Sequence, residues 1–270
     1  MTPADREAPR VWHHGLVARW WAEFNVGGPE VEHFGARLRE LGGPTLDVGC
    51  GSGRLLVPFV KAGLEVEGCD DSADMLARCR ARAGAEGVSV TLHRQAAQEL
   101  DLPRRYRSAI MCGVLGLGGV RAHDQEALRR VHAHLEPGGT LLLDHHLPYA
   151  SEEEWRYWTS AGQRELPLPW PAAGERRVAA DGDELELTTR LVALDPLAQR
   201  ATREVRVRLW RDGALVAQEE RSLLEQLYLA NEVQAMLQEA GFERVTVLEG
   251  YSGAPATPAS AVLVFRASRS

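Results

Sequence analysis

Leu46-Asp47-Val48-Gly49-Cys50-Gly51-Ser52-Gly53-Arg54-Leu55-Leu56 is the stretch that orders the rest of this 270-residue chain. Thr45 to Val48 is a short apolar run that reads as a strand. Three glycines at alternate positions follow it. An apolar pattern at helical spacing then runs from Arg54 to Ala62, where Gly63 stops it. Glycine has no Cβ, so such a turn can take positive φ and let a ligand approach the backbone. Strand, glycine turn and helix together put that ligand at the carboxyl end of a strand and against a helix N-terminus. Asp70 follows the next predicted strand, Leu64 to Cys69, and lies 21 positions after Gly49. That matches the spacing of about 20 at which a carboxylate accepts hydrogen bonds from a ribose diol.

Outward from this stretch, strands and helices alternate. A helix is expected over Ser72 to Ala83, with Ser72 as its cap and Asp74 in its first turn. Strands follow over Val88 to Leu92 and Ser108 to Val114, then a helix over Gln125 to Leu135, a turn over Glu136 to Gly139 and a strand over Thr140 to Asp144. Such alternation over about a hundred residues predicts an α/β fold with a doubly wound, mainly parallel sheet. Upstream, residues 11–41 read as two helices separated by Gly27-Gly28-Pro29. Downstream, residues 150–180 are irregular and carry Trp155, Tyr157, Trp158 and Trp170. From 183 to 227 apolar and polar residues alternate, and Asp212-Gly213 is a hairpin signal, so an antiparallel meander is inserted there. A helix over Asn231 to Ala240 and strands over Phe242 to Leu248 and Ala261 to Phe265 close the chain. The organisation is read as N-terminal helices over the cofactor site (1–43), a cofactor-binding core (44–150), an insert (151–228) that covers substrate or contacts a second copy, and a terminal helix with the last two core strands (229–270).

Composition narrows the partners. Hydrophobic residues make up 44% and charged residues 26%, the net charge is -7 and the pI about 5.8. A globular chain with an acidic balance and no basic stripe is not read as a nucleic-acid binder. No apolar run approaches the roughly 18 residues a membrane span needs, and the polar stretch Met1 to Arg10 has no leader pattern, so no membrane partner and a cytoplasmic location are expected. Cys50, Cys69, Cys79 and Cys112 form no CxxC pair and the histidines have no acid or cysteine at ligand spacing, so no metal site is expected.

Two cofactor classes fit the glycine turn. The dinucleotide fingerprint G-x-G-x-x-G fails in both frames, because its third glycine would fall on Arg54 or on Leu56. Asp47, on the strand before the turn, suits a ligand with a cationic amino group. With these residues in place, Leu46 to Gly53 resembles motif I of the class I S-adenosylmethionine-dependent methyltransferases. Gly68-Cys69-Asp70-Asp71-Ser72 with Met75-Leu76 resembles that family's second-strand acid and following helix. Leu135 to Thr140 resembles its turn before strand five. The resemblance covers roughly residues 45–146, and Ala240-Gly241-Phe242 also fits.

It implies a Rossmann-like seven-stranded sheet, S-adenosylmethionine as cofactor, S-adenosylhomocysteine as product, and an acceptor of the small-molecule type methylated on N or O. Gly49, Gly51 and Gly53 would approach the cofactor, with Cys50 between them. Asp47 would face its amino-acid end and Asp70 its ribose, with Asp71 alongside. Met75 would lie near the adenine, Gln95 and Ala96 would stand where the family carries an adenine-binding Asp-Ala pair, and Cys112 would sit at the end of strand four. The N-terminal helix, which in the family offers tyrosines to the cofactor carboxylate, here has Trp12, Arg19, Trp20 and Trp21. His145 and His146, at the end of strand five, are the candidate general bases, since imidazole titrates near neutrality. His123, His132 and His134 are read as helix-surface or loop residues. A homodimer through the meander is a further expectation. The rival readings are an NAD-dependent oxidoreductase, which the broken fingerprint disfavours, and a non-catalytic scaffold that keeps the cofactor fold.

Overall fold

The computed structural model describes residues 11–270; the N-terminal stretch read above as polar lies outside the described residues. Two helices, α1 (Gly15–Phe24) and α2 (Pro29–Leu41), precede the first strand. Proline fits the first turn of α2 because its missing N–H would have no helical partner there. The core then runs β1 (Thr45–Val48), α3 (Leu56–Lys61), β2 (Val66–Asp70), α4 (Ala73–Ala85), β3 (Thr91–Arg94), β4 (Tyr106–Met111), α5 (Arg121–His134) and β5 (Leu135–His146). It resumes after the insert with α8 (Ala230–Glu239), β10 (Glu243–Glu249) and β11 (Val262–Ser268).

The seven strands lie in the order β10-β11-β5-β4-β1-β2-β3. The β1–β2, β1–β4, β2–β3 and β4–β5 pairs are parallel, and β11 runs antiparallel to both β5 and β10. The strand order reverses between β1 and β4. The loops after these two strands therefore diverge and leave a crevice at their carboxyl ends, where open α/β sheets bind ligands. One face of the sheet is packed by α5 and α8 through Leu128, Val131 and Leu237, with Tyr228 of the connection before α8. The other is packed by α2, α3 and α4 through Phe34, Leu38, Leu56, Phe59 and Leu76. β1 is buried along its whole length, which is why Thr45-Leu46-Asp47-Val48 reads as a run and not an alternation.

The insert is a second sheet, β6-β7-β8-β9, made of β6 (Glu175–Val178), β7 (Glu184–Asp195), β8 (Arg200–Arg211) and β9 (Ala214–Gln226). Asp212 and Gly213 both take positive φ, 51° and 77°, as a tight turn between right-twisted strands requires. Its apolar face, with Leu185, Val205 and Val207, packs on Val17 and Trp20 of α1. The segment between β5 and β6 holds two four-residue helices, α6 (Glu152–Trp155) and α7 (Ser160–Gln163).

Several boundaries differ from the sequence reading. The expected turn at 136–139 lies within β5, where it is absorbed as an irregularity: Tyr106 pairs with Leu135 but Ser108 with Thr140. Residues 54 and 55 belong to the glycine turn and α3 starts only at Leu56. The helix α5 begins four residues earlier than expected, at Arg121, directly after a loop with four positive-φ glycines at 113, 116, 118 and 119.

Candidate active site

Ser72 caps α4, accepting the Met75 N–H on its Oγ at 3.2 Å, and this fixes where β2 ends and the helix starts. Asp70 sits at that junction. Its Oδ1 accepts the Ser72 N–H at 2.8 Å and its Oδ2 accepts the Gly51 N–H at 2.9 Å. One carboxylate thus ties the glycine turn after β1 to the end of β2, and it lines the crevice. Burial pushes the Asp70 carboxyl up, and the two amide donors oppose that shift.

The glycines divide the work. At Gly49 (φ 72°) an added Cβ would collide with the Val114 side chain, and at Gly51 (φ 54°) it would come within 3.1 Å of Met75 Cε. Both positions keep the turn narrow against the crevice. Gly53 (φ 81°) faces Cys79 and Val57 and does not line the crevice. Its role is to let α4 and α3 pack closely, which corrects its expected place beside a cofactor.

Asp47 is buried, and its Oδ2 has no hydrogen-bond partner. Burial, with the Asp70 charge nearby, pushes its carboxyl up to about 8. A fully buried acid with an orphaned oxygen beside a cavity is a ready partner for a cation.

The crevice is a cavity of about 460 Å³. Asp47, Gly49, Cys50, Gly51, Asp70, Asp71, Met75, Gln95, Ala96 and Cys112 all line it, so the turn, the β2 acid, the β3 exit and the β4 end converge on one space. Gln95 departs from its expected role. Its Oε1 accepts the Asp101 N–H at 2.9 Å and its Nε2 donates to the Asp101 carbonyl at 3.1 Å, so the amide folds over its own loop.

The far end of the cavity belongs to the β5 exit, the start of α5 and the meander. His146, His123, Asp124, Leu223 and Glu225 line it. Asp124 accepts the Tyr228 O–H at 2.6 Å and the Gly116 N–H at 3.1 Å, and burial lifts its carboxyl to about 6. The meander is bound to the core at this point: Leu117 bridges Glu225, and the Gln226 N–H donates to the Gly116 carbonyl at 2.8 Å.

His146 is exposed on the rim. His145, its neighbour on the strand, points the other way. It is buried, its Nε2 lies 2.8 Å from the Tyr228 carbonyl, and burial lowers its pKa. His145 is therefore a core histidine and not a base facing the cavity, as the alternation along β5 demands.

Sequence reasoning passed over several lining residues. His123, read from the sequence as a helix-surface or loop residue, stands in the first turn of α5 and lines the cavity. Asp124, Arg54 and Glu225 carried no motif. From the N-terminal region His13 and Asn25 were passed over as well, whereas Trp12 and Trp21, named from the sequence in place of the family's tyrosines, line the cavity with them. Arg19, in contrast, is held outside by Asp181 and Asp183 at 2.8 and 2.9 Å. The aromatic residues Trp155, Tyr157, Trp158 and Trp170 do not line the cavity either. Tyr157 packs in a small core with Leu191 and Ala201, and Trp170 lies under the Arg190 and Arg206 guanidinium groups.

Residues 45–139 match the methyltransferase domain family. That segment is a methyltransferase domain. Over 101 residues the chain is 35% identical to the dTDP-3-amino-3,6-dideoxy-alpha-D-glucopyranose N,N-dimethyltransferase of Streptomyces fradiae, which covers 37% of this chain and 38% of that one. The chain spans between about two-fifths and just over half the length of the curated relatives it matches. Its whole fold is shared with the CcbJ methyltransferase of Streptomyces caelestis (TM-score 0.71, 21% identity, 97% of this chain and 100% of that one). It is shared too with an S-adenosylmethionine-dependent methyltransferase of Clostridium acetobutylicum (TM-score 0.69, 13% identity, 94% and 97%). The methyltransferase fold therefore extends through the meander and the terminal strands, well beyond the matched domain. Among the described residues no helix is long and apolar enough to cross a membrane.

Proposed function

We propose that this chain transfers the methyl group of S-adenosylmethionine to a nitrogen of a small-molecule amine, with an amino sugar as the acceptor class. The observation that carries this reading is the two-ended cavity. At one end the glycine turn, Asp70 and the unpartnered Asp47 oxygen fit a ribose and a cationic amino-acid end. At the other end Asp124, His146 and Glu225, the last paired with Arg203 at 2.5 Å, line the wall, an acidic lining that suits a basic acceptor. The Streptomyces fradiae relative, by its name an N,N-dimethyltransferase of an amino sugar, favours the same class.

S-adenosylmethionine, when bound, supplies a methyl already activated on sulfur. The protein's part is to align the acceptor for in-line displacement and to exclude water. Asp70 and the turn amides orient the cofactor end. Leu223 and Glu225 of the meander close the acceptor end. Glu225 draws in an ammonium group, and His146 takes its proton so that a neutral amine lone pair faces the methyl; such a base contributes about 10²–10⁴ in rate. A homodimer through the meander belongs to the same reading: β9 is an edge strand, with Leu215 and Val216 about half exposed. Light scattering checks it, with a dimer expected and a monomer at high concentration refuting it.

The test is methyl transfer from labelled S-adenosylmethionine to a panel of nucleotide-linked amino sugars and of catechols. Transfer to the amino sugars, rising with pH through the neutral range, is expected. Transfer to the catechols alone overturns the nitrogen assignment, and turnover of a nicotinamide cofactor instead overturns the whole reading.

A further inference from the structure

Asp124 and Glu225 line the acceptor end of the cavity, and they differ in how their charge is met. Glu225 of β9 pairs with Arg203 at 2.5 Å, and Arg203 is held in turn by Glu154 at 2.9 Å. Asp124 stands in the first turn of α5 and is 7% exposed. Its Oδ2 accepts the Tyr228 O–H at 2.6 Å and its Oδ1 accepts the Gly116 N–H at 3.1 Å, both neutral donors. Among the described residues it forms no ion pair with an arginine or lysine. Arg121, three residues earlier on the same helix, acts on it from a distance but is paired with Glu232 at 2.8 Å. A buried carboxylate held by neutral donors keeps an uncompensated charge, and a ligand that brings a cation removes that cost. The two donors are themselves fixed. Tyr228 is fully buried, its ring lies 4.9 Å beneath the Arg121 guanidinium, and its carbonyl is 2.8 Å from His145 Nε2. Gly116 belongs to the glycine loop after β4, and its carbonyl accepts the Gln226 N–H at 2.8 Å. Asp124 is thus held in one orientation at the cavity wall.

We infer that Asp124 binds the ammonium group of the methyl acceptor, and that Tyr228 is the positioning residue that holds Asp124 for it. Glu225, already paired, adds attraction at longer range. His146 takes the proton from the nitrogen, and Asp124 stays ionised. A hydroxyl in place of the amine gives Asp124 one more hydrogen bond but leaves its charge unmet, so preference for nitrogen over oxygen originates at this residue. The assignment rests on the amine reading proposed above and adds to it which residue sets the acceptor class. It also carries a pH signature. Burial lifts the Asp124 carboxyl to about 6, against the pull of the Tyr228 O–H and the Gly116 N–H. The charged and titratable groups around it are Arg121 and His123 of α5, His145 and His146 of β5, Glu225 of β9, Tyr228 and Glu232 of α8. Ammonium binding needs the ionised acid and is therefore lost as pH falls through about 6.

The test compares two probes, a nucleotide-linked amino sugar and the same sugar nucleotide with a hydroxyl in place of the amine. Each is titrated by calorimetry into the S-adenosylhomocysteine complex of wild type, Asp124→Asn and Tyr228→Phe. Asp124→Asn should weaken the amino sugar by about 10- to 100-fold and the hydroxyl analogue by no more than about twofold, with S-adenosylhomocysteine affinity retained as the sign of an intact fold. Tyr228→Phe tests the same point without touching the acid. The ionised carboxylate loses a donor, so the pH below which amino-sugar binding falls should move up by roughly one to two units. A tyrosine that only fills space would leave that pH where it is. Equal weakening of amine and hydroxyl analogue in Asp124→Asn, or an unmoved pH limb in Tyr228→Phe, overturns the assignment of Asp124 while the nitrogen reading stands. A wild type that transfers no methyl to amino sugars overturns both.

Discussion

Asp47→Asn is the most informative single change, because the acid is isosteric with its amide and its environment makes a quantitative demand. Burial, with the Asp70 charge nearby, pushes the Asp47 carboxyl up to about 8. An ordinary aspartate titrates near 3.9, so ionising Asp47 in the fold costs on the order of 5 kcal/mol more than in the unfolded chain. The folded value is the raised one. Its contribution to stability is therefore fully present below about pH 4 and is lost as pH rises through about 8. A cationic amino group in the cavity needs the ionised acid, so ligand uptake must expel the proton. Affinity for S-adenosylhomocysteine should then rise by roughly tenfold per pH unit between about 6 and 8 and level off above. Burial raises Asp70 as well, which acts in the same direction. Calorimetry at pH 6.5 in two buffers of different ionisation enthalpy counts the protons released: about one is expected for wild type and close to none for Asp47→Asn. The variant should also melt higher than wild type at pH 8 while binding more weakly. An affinity flat from pH 6 to 8, with no proton released by wild type, would refute the argument that Asp47 is the ammonium partner.

Other outcomes follow from the same geometry. Gly49→Ala places a side chain in the left-handed region, which costs about 1–2 kcal/mol, and drives it into Val114; S-adenosylhomocysteine affinity should fall more than tenfold, read by calorimetry. Glu225→Gln, which also loosens the pair with Arg203, and His146→Asn lie at the acceptor end, so kcat/KM for the amine should drop, by about 10²-fold or more for His146, while the Kd for S-adenosylhomocysteine stays put. Tyr251→Phe removes the 2.6 Å bond to Asp144, whose other contacts are the Gly113 N–H and Cys112 Sγ; the loop after β4 should loosen, seen as faster amide exchange of Gly113 and Val114.

The parallel core was legible because its signals are local. Asp47, the glycine turn, Asp70 and Ser72 lie within 26 residues, and each is fixed by a backbone requirement: positive φ, a cap, a strand end. The meander was legible from its period of two and from Asp212-Gly213. Contacts between distant elements were not. Nothing in the sequence joins Glu225 to Leu117, or Arg54 to Glu30, and so the acceptor end and the setting of Arg54 stayed hidden. His145 and His146 show a subtler limit. Both end β5, and only the strand's pleat decides which one faces the cavity; the sequence marks the pair, the fold separates them. Gln95 shows another, since its amide is spent on Asp101, six residues along, in a loop whose geometry has no signature.

The central claim is that the cavity between β1 and β4 holds S-adenosylmethionine through Asp70 and the glycine turn. Calorimetric titration of S-adenosylmethionine, S-adenosylhomocysteine and NAD into wild type and Asp70→Ala tests it most directly. Each lost charged hydrogen bond is worth about 1.5–3 kcal/mol. Wild type should bind the first two ligands and not NAD, and a folded Asp70→Ala should bind them at least about tenfold more weakly. Binding of NAD in place of S-adenosylmethionine, or an Asp70→Ala variant with undiminished affinity, would contradict the account.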